Sequence, residues 1–199
     1  MKRALTAIFS VAVVALFLSG CSGMRLVDSD VSAFPHWNGA PPGPGTAYRF
    51  ERLPSQQAPI AQQDMVEAQA RSALARVGME LNPSVARYSV QVLLNTQRLV
   101  RPPYDGWSRP GVFLSGGNRG AALGLSFPLG LTEPDYIKRE LSIVMRDLRS
   151  QQVVFETRAL HEGVWGDTAA VLPAMLDAAL RGFPEPPPGT RRINVEIPR

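Results

Sequence analysis

Residues 136–163 read YIKRELSIVMRDLRSQQVVFETRALHEG, and this stretch decides the fold. In its first half the regularly spaced apolar residues are Ile137, Leu141, Ile143 and Met145, and in its second half they are Val153, Phe155 and Ala159. A spacing of two residues indicates half-buried strands. The segment Arg149-Ser150-Gln151-Gln152 fits a hairpin turn between them. The stretch therefore predicts an antiparallel strand pair with one face in the core.

The flanking sequence supplies two helices and further strands. Helical spacing is shown by Met65, Val66, Ala70, Ala73, Leu74 and Val77 before Gly78, and by Val171, Leu172, Met175, Leu176, Ala179 and Leu180 before Gly182. Asp167 is the predicted N-cap, and Pro173 predicts a late helix start because proline is tolerated in the first turn. Alternating residues predict strands at 48–53, from Tyr88 towards Val100, and at the C-terminal edge over 193–197.

The resulting order, β-α-β-β-β-α, predicts an α+β fold. We expect an antiparallel sheet of four to five strands with two helices packed on one face, because each strand alternates cleanly between apolar and polar residues.

The N-terminus has the parts of a secretory signal. Lys2 and Arg3 form a basic start, and residues 4–18 are apolar apart from two hydroxyl residues. This run is shorter than the roughly 20 residues of a membrane-spanning helix, so it predicts a signal peptide over 1–20. It ends in Leu18-Ser19-Gly20-Cys21, which resembles a lipobox. That resemblance implies that Cys21 carries a diacylglyceryl group and that its new amine is acylated with a chain such as palmitate.

Residue 22 gives a prediction of localisation. In proteobacterial sorting an aspartate after the lipidated cysteine retains a lipoprotein in the inner membrane, and here the residue is Ser22. In a Gram-negative cell this predicts the inner leaflet of the outer membrane, with the domain facing the periplasm.

Composition excludes some classes of function. Without Lys2 and Arg3 the basic residues fall from 21 by two to 19, against 17 acidic ones, so the net charge falls from +4 to +2. No concentrated basic stripe is visible, so we expect no nucleic-acid binding. Cys21 is the only cysteine, which excludes an intrachain disulfide and a catalytic thiol.

The sequence divides into an anchor, a tether and one domain. Residues 21–46 are rich in proline and glycine and lack a sustained period, which predicts a tether that lifts the domain off the membrane. Phe34, His36 and Trp37 interrupt the tether, and we expect them to pack on the domain, with a partner as the alternative. Residues 47–199 are predicted to form a single α+β domain.

A long insertion over 102–134 interrupts that domain. It is too apolar for simple disorder and too long for an ordinary connection. Residues 112–114 and 123–127 predict an extra hairpin with its turn at 116–120. The candidate interaction residues are Tyr104, Trp107, Phe113, Leu125 and Phe127. Two interpretations stay open: the insertion covers the open sheet face, or it binds a partner or touches the membrane.

The sequence offers no catalytic residues. His36 lies in the predicted tether, and no serine stands in a Gly-x-Ser-x-Gly elbow. His161 and Glu162 are adjacent on a strand and point to opposite faces, so they do not converge on a metal with Asp167. We expect His161 to be solvated at its strand end. The prediction is a protein that is not an enzyme and has no metal and no cofactor.

The order of elements resembles a known family. A lipobox, a Tyr-x-Phe strand at 48–50, a helix ending at Gly78 and a strand of the 88–92 type are followed by Trp165-Gly166 and by a helix ending in Gly182-Phe183-Pro184. Over residues 48–188 this resembles the DUF4136 lipoproteins of the bacterial envelope. The resemblance implies an α+β domain at the outer membrane and supplies no catalytic residues. The 102–134 insertion departs from the family pattern.

These patterns lead to two functional hypotheses. The first is a non-enzymatic, lipid-anchored envelope protein with a structural or protein-interaction role, whose partners are the membrane, through Cys21, and another envelope protein. The alternative is a periplasmic domain that binds a small ligand or lipid in an apolar groove beneath the 102–134 loop.

Overall fold

The structure is a computed structural model and describes residues 23–57, 59–99, 111–117, 120–126 and 136–198. These residues form a seven-stranded sheet, a separate two-stranded hairpin and two α-helices. The strands are β1 (Met24–Pro35), β2 (Thr46–Phe50), β3 (Met79–Leu81), β4 (Tyr88–Leu99), β5 (Gly111–Gly117), β6 (Gly120–Ser126), β7 (Tyr136–Asp147), β8 (Val153–Gly163) and β9 (Arg191–Pro198), and the helices are α1 (Ile60–Arg76) and α2 (Thr168–Ala179).

The sheet is mostly antiparallel, in the order β3-β2-β4-β7-β8-β1-β9. Strands β4, β7, β8, β1 and β9 pair antiparallel in succession. Strand β2 pairs parallel with both β3 and β4, which makes the sheet mixed. The predicted α+β class with two helices packed against the sheet is confirmed. The sheet is larger than expected because β1 and β3 join it.

The core lies between the sheet and the two helices. Its fully buried members include Val27, Val31, Val66, Leu74, Val90, Val92, Leu141, Ile143, Leu172 and Met175. The helices contact each other and carry an ion pair between Arg76 and Asp177. The Thr157 hydroxyl of β8 donates a hydrogen bond to the Ala179 carbonyl at 3.0 Å, which fastens the end of α2 to the sheet.

Strand β1 corrects the predicted tether. Residues Met24–Pro35 lie between β8 and β9 and pair with both, so the assignment of 21–46 to a tether is wrong for this segment. Val27, Val31 and Ala33 are buried in the core. Ser29 occupies the core position between the two valines, and this interrupts the apolar period that identifies a strand in sequence.

The aromatic residues at the end of β1 and directly after it differ in their burial. Trp37 stacks on Phe155 with ring centroids 5.6 Å apart and donates its indole N–H to the Pro184 carbonyl at 2.9 Å. The expected packing on the domain is therefore confirmed for Trp37. Phe34 and His36 are exposed, so for them it is wrong.

Helix α2 begins earlier than Pro173 predicts. Asp167 is its N-cap, as expected, and accepts a hydrogen bond from the Ala170 amide at 3.2 Å. Pro173 has no N–H to donate to the Ala169 carbonyl one turn before it. The side-chain amide of Gln69, on α1, donates to that carbonyl at 3.3 Å. The neighbouring helix thus supplies the hydrogen bond that the proline removes.

Tyr48 gives the first testable prediction. Its side chain is fully buried, and burial raises its pKa from 10.0 to about 12 against the opposing charge of Arg71. Between pH 10 and 12 the unfolded chain loses this proton while the folded chain keeps it, so stability falls as pH rises through that window. We expect this loss to reach about 2 kcal/mol and to be absent from Tyr48→Phe.

Urea unfolding of both proteins at pH 8 and at pH 11.5 checks this. At pH 8 the variant is expected to be as stable as the wild type or slightly more stable, because the buried Tyr48 hydroxyl has no hydrogen-bond partner among the described residues. A stability difference that is identical at the two pH values would contradict the assignment.

Candidate functional site

The sheet face opposite the helices, called the open face below, has no described helix packed on it. Directly opposite residues of antiparallel strands share a face. One row across the open face consists of Asn95, Glu140, Leu160, Asp30 and Arg192, and a second consists of Leu93, Ser142, Arg158 and Ser32. The face is therefore mostly polar and charged, with Leu93 and Phe34 as large exposed apolar side chains and with Met24, Leu26 and Leu99 exposed at one end of it.

A shallow concavity of about 320 Å³ lies on the open face. Its lining consists of Asp28, Asp30, Tyr136, Leu160, Glu162 and Arg192. Arg192 donates to Asp30 at 3.0 Å, and this hydrogen bond and charge raise the pKa of Arg192. Glu162 lies 3.8 Å from the Lys138 ammonium. The lining itself carries three carboxylates against one guanidinium, which suits a polar or basic contact more than an apolar ligand.

A row of buried polar residues lies on the other face of the same strands. Arg139 of β7 is directly opposite His161 of β8, and the pairing of Asp30 with Leu160 places Ser29 of β1 beside His161. All three side chains are almost inaccessible to solvent, and Arg139 is 0% exposed. We call Arg139, His161 and Ser29 the buried polar row.

Neutral groups surround the Arg139 guanidinium. It donates to the Trp165 carbonyl at 2.7 Å and to the Thr168 hydroxyl at 3.1 Å, and its Nη1 has no hydrogen-bond partner among the described residues. Burial lowers the pKa of Arg139, while the nearby charge of Asp167 acts in the opposite direction. A buried cation held mainly by neutral groups is expensive in free energy.

The segment after β8 covers this row. The Gly163 position is so close to His161 that an added Cβ would lie 3.0 Å from the imidazole Nε2. Trp165 follows, and the Arg25 guanidinium lies 4.7 Å from the centroid of its ring. The imidazole Nδ1 is hydrogen-bonded at 2.6 Å to the Asp28 carbonyl. The expectation of a solvated His161 is therefore wrong, because the backbone of β1 and the segment at 163–165 enclose the ring.

Glu162 lies on the opposite face from His161, as strand alternation predicts. The Glu162 side chain is half-exposed and the His161 side chain is buried. Within the described ranges no group of three His, Cys, Asp or Glu side chains could hold a metal ion.

Of the predicted interaction residues, Phe113 and Leu125 lie within the described chain. They belong to β5 and β6, which pair antiparallel as the predicted hairpin, with Phe113 opposite Gly124 and Leu125 opposite Val112. This hairpin forms a sheet of its own and does not extend the main one. Tyr104, Trp107 and Phe127, together with the predicted lipidation residue Cys21, lie outside the described residues.

The buried polar row is a feature that the sequence analysis missed. Arg139 and His161 each stand at a core position of their strand, in register with Leu141 and Ala159. A charged residue on the apolar period of a strand was the available signal. Ser29 gave none, because β1 was not recognised as a strand.

Comparisons with known proteins agree with this fold. Residues 29–185 match the family described as "Domain of unknown function (DUF4136)". No protein with a curated description matches the chain. Among solved structures, a PDZ domain protein from Parabacteroides distasonis is similar over 92% of this chain and 41% of its own, with 10% identity and a TM-score of 0.53. The chain thus spans less than half of that protein, and the similarity extends to the fold alone.

A second solved structure is more distant. The PelC dodecamer from Paraburkholderia phytofirmans aligns with 76% of this chain and 94% of its own, with 13% identity and a TM-score of 0.44.

Arg139 provides a test of whether the buried polar row stabilises the fold. Arg139→Met removes two hydrogen bonds from a charged donor, each of which stabilises the fold by about 1.5–3 kcal/mol. It also removes the free-energy cost of burying the charge, which is several kcal/mol. We expect the free energy of unfolding to change by less than about 1 kcal/mol. The matched control is Leu141→Ala on the same strand, a fully buried apolar site, where a loss of about 2–5 kcal/mol is expected.

Chemical denaturation of the wild type, Arg139→Met and Leu141→Ala measures the three free energies of unfolding. A loss at Arg139→Met as large as that at Leu141→Ala would show that the guanidinium is a structural tie that the fold requires.

Proposed function

The chain belongs to the DUF4136 family, and we propose that it is a lipid-anchored bacterial envelope protein with a non-enzymatic, protein-interaction role. The anchor is Cys21, at the end of the basic and apolar signal over 1–20. Two or more acyl chains on one residue suffice for stable membrane attachment. Ser22 supports delivery to the inner leaflet of the outer membrane.

The observation that carries the interaction role is the open face. One face of the seven-stranded sheet has no helix of the described residues packed on it. Apolar Leu93 and Phe34 stand there among charged pairs such as Glu156 with Arg158 at 2.9 Å. Apolar side chains within a polar, charged surround are the usual composition of a protein–protein contact.

The described residues support a role without catalysis. His161 is enclosed and its Nδ1 is already hydrogen-bonded to a backbone carbonyl, so the ring cannot reach a substrate without opening the segment at 163–165. His36 is exposed.

No specific observation favours the second candidate, an apolar ligand groove between helices and sheet. Side chains of both helices and of the sheet fill that interface. The concavity lined by Asp28, Asp30 and Arg192 lies on the opposite face and has a charged lining. We therefore retain the interaction role as the proposal.

Two substitutions test the anchor and its sorting separately. Cys21→Ser is expected to abolish labelling by radioactive palmitate and to leave the signal peptide uncleaved, because the acceptor thiol is absent. Ser22→Asp keeps the thiol and is expected to retain full labelling while moving the protein from the outer-membrane to the inner-membrane fraction. Sucrose-gradient fractionation and mass spectrometry read both results. Unchanged mass and membrane fraction in Cys21→Ser would refute lipidation.

Photo-crosslinking in native envelopes tests the open face. A photoreactive amino acid at Leu93 is expected to capture a specific envelope protein, whereas the same probe at Val85, an exposed apolar position outside the open face, is expected not to. The Leu93 probe is then placed in a chain that lacks residues 103–133. Loss of the crosslink in that chain would show that the insertion takes part in the contact. Equal crosslinking at both positions, or none at either, would contradict the proposed surface.

A further inference from the structure

Five strand ends meet at one end of the sheet, which we call the Met24 end. Strand β1 starts there at Met24, and antiparallel pairing brings to the same end the last residue of β8, Gly163, and the last of β9, Pro198. Strand β7 starts there at Tyr136 opposite Leu99, the last residue of β4. The chain between Leu99 and Tyr136 thus leaves the sheet and returns to it at this end.

Large apolar side chains are exposed at this end. Met24 and Leu26 are both more than half exposed, and Leu99 and Val164 are also exposed. They come from the starts or ends of three different strands, which the fold brings together. Exposed apolar side chains gathered on one surface mark a site of contact with a partner or a membrane.

The position of Cys21 indicates that this contact is with a membrane and not with a partner protein. Cys21 precedes Met24 by three residues, and three extended residues span at most about 10 Å. If Cys21 is lipidated, as the proposed function states, its acyl chains hold the Met24 end against the bilayer. The tether predicted over 21–46 does not intervene, because β1 begins at Met24 and takes up 12 residues of that segment.

We propose that the Met24 end rests on the lipid surface, with Met24, Leu26, Leu99 and Val164 in contact with the headgroup region and the strands rising steeply from it. This orientation deepens the proposed anchoring and depends on it. Polar and amphipathic side chains at this end suit an interface. The Arg25 guanidinium lies over the half-buried Trp165 ring, and Tyr136 lines the nearby concavity. Tryptophan, tyrosine and snorkelling cations are typical of membrane–water interfaces.

Strand β8 provides a matched pair of probe positions. Val164 follows its last residue at the Met24 end and is 37% exposed, whereas Val153 is its first residue at the far end and is 41% exposed. Eleven residues separate them, or about 35 Å along an extended strand. In the lipidated protein the Cys21 sulfur is a thioether, so an introduced cysteine is the only thiol available for labelling.

The experiment uses the full-length lipidated protein reconstituted in vesicles of phosphatidylethanolamine and phosphatidylglycerol. A fluorophore is attached to Val164→Cys, to Val153→Cys, or to Val85→Cys as a second distant control, and is quenched by lipids that carry a nitroxide at the headgroup. We expect several-fold stronger quenching at position 164 than at 153 or 85.

Vesicle flotation separates the two ways in which this can fail. Equal quenching at 164 and 153, or none at 164, in protein that floats with the vesicles would overturn the orientation while leaving the anchor intact. Protein that does not float would overturn the proposed anchoring, and the orientation with it.

Discussion

Burial of one face of four long strands beneath two helices is the constraint on which the rest of the structure depends. One row on the buried face consists of Leu94, Leu141, Ala159 and Val31, contributed by β4, β7, β8 and β1. A slip of one residue between any two of these strands would turn an apolar set towards solvent. This requirement fixes which residues of each strand face the helices. The open face, the concavity and the Met24 end follow from this arrangement.

The elements that the sequence revealed are those in which apolar residues recur at most core positions. Strands β4, β7 and β8 and both helices have this pattern, and their periods are plain in the sequence even though Arg139 and His161 interrupt the core side of β7 and β8. Strand β1 has the polar Ser29 at a core position, and the apolar Leu26 and Phe34 lie on its exposed side near its two ends. The alternation of apolar and polar residues in the sequence therefore does not identify its buried face. Strand β3 has three residues, too few for any period. The parallel pairing of β2 depends on partners distant in sequence, which local patterns do not reveal.

The candidate sites were less predictable than the fold for a related reason. Asp28 and Asp30 meet Glu162 because β1 pairs with β8, and a tether over 21–46 excluded that pairing. The buried polar row depends on the same pairing. It lies where the helices give way to the segment at 163–167, so the Trp165 carbonyl and the Thr168 hydroxyl contact Arg139 in place of aliphatic side chains. A guanidinium at that position has donors to match those acceptors, which a leucine would lack.

The position of β1 also changes what an N-terminal anchor means for this domain. A flexible tether over 21–46 would let the domain sample every orientation, and no surface would face the membrane for long. With Cys21 lipidated as proposed, a strand that begins three residues later limits that freedom, since hydrogen bonds to two neighbours make it part of the sheet. In the proposed orientation the strands rise from the bilayer, the open face points sideways into the periplasm and the helices lie on the reverse side. A partner on the open face would then approach parallel to the membrane.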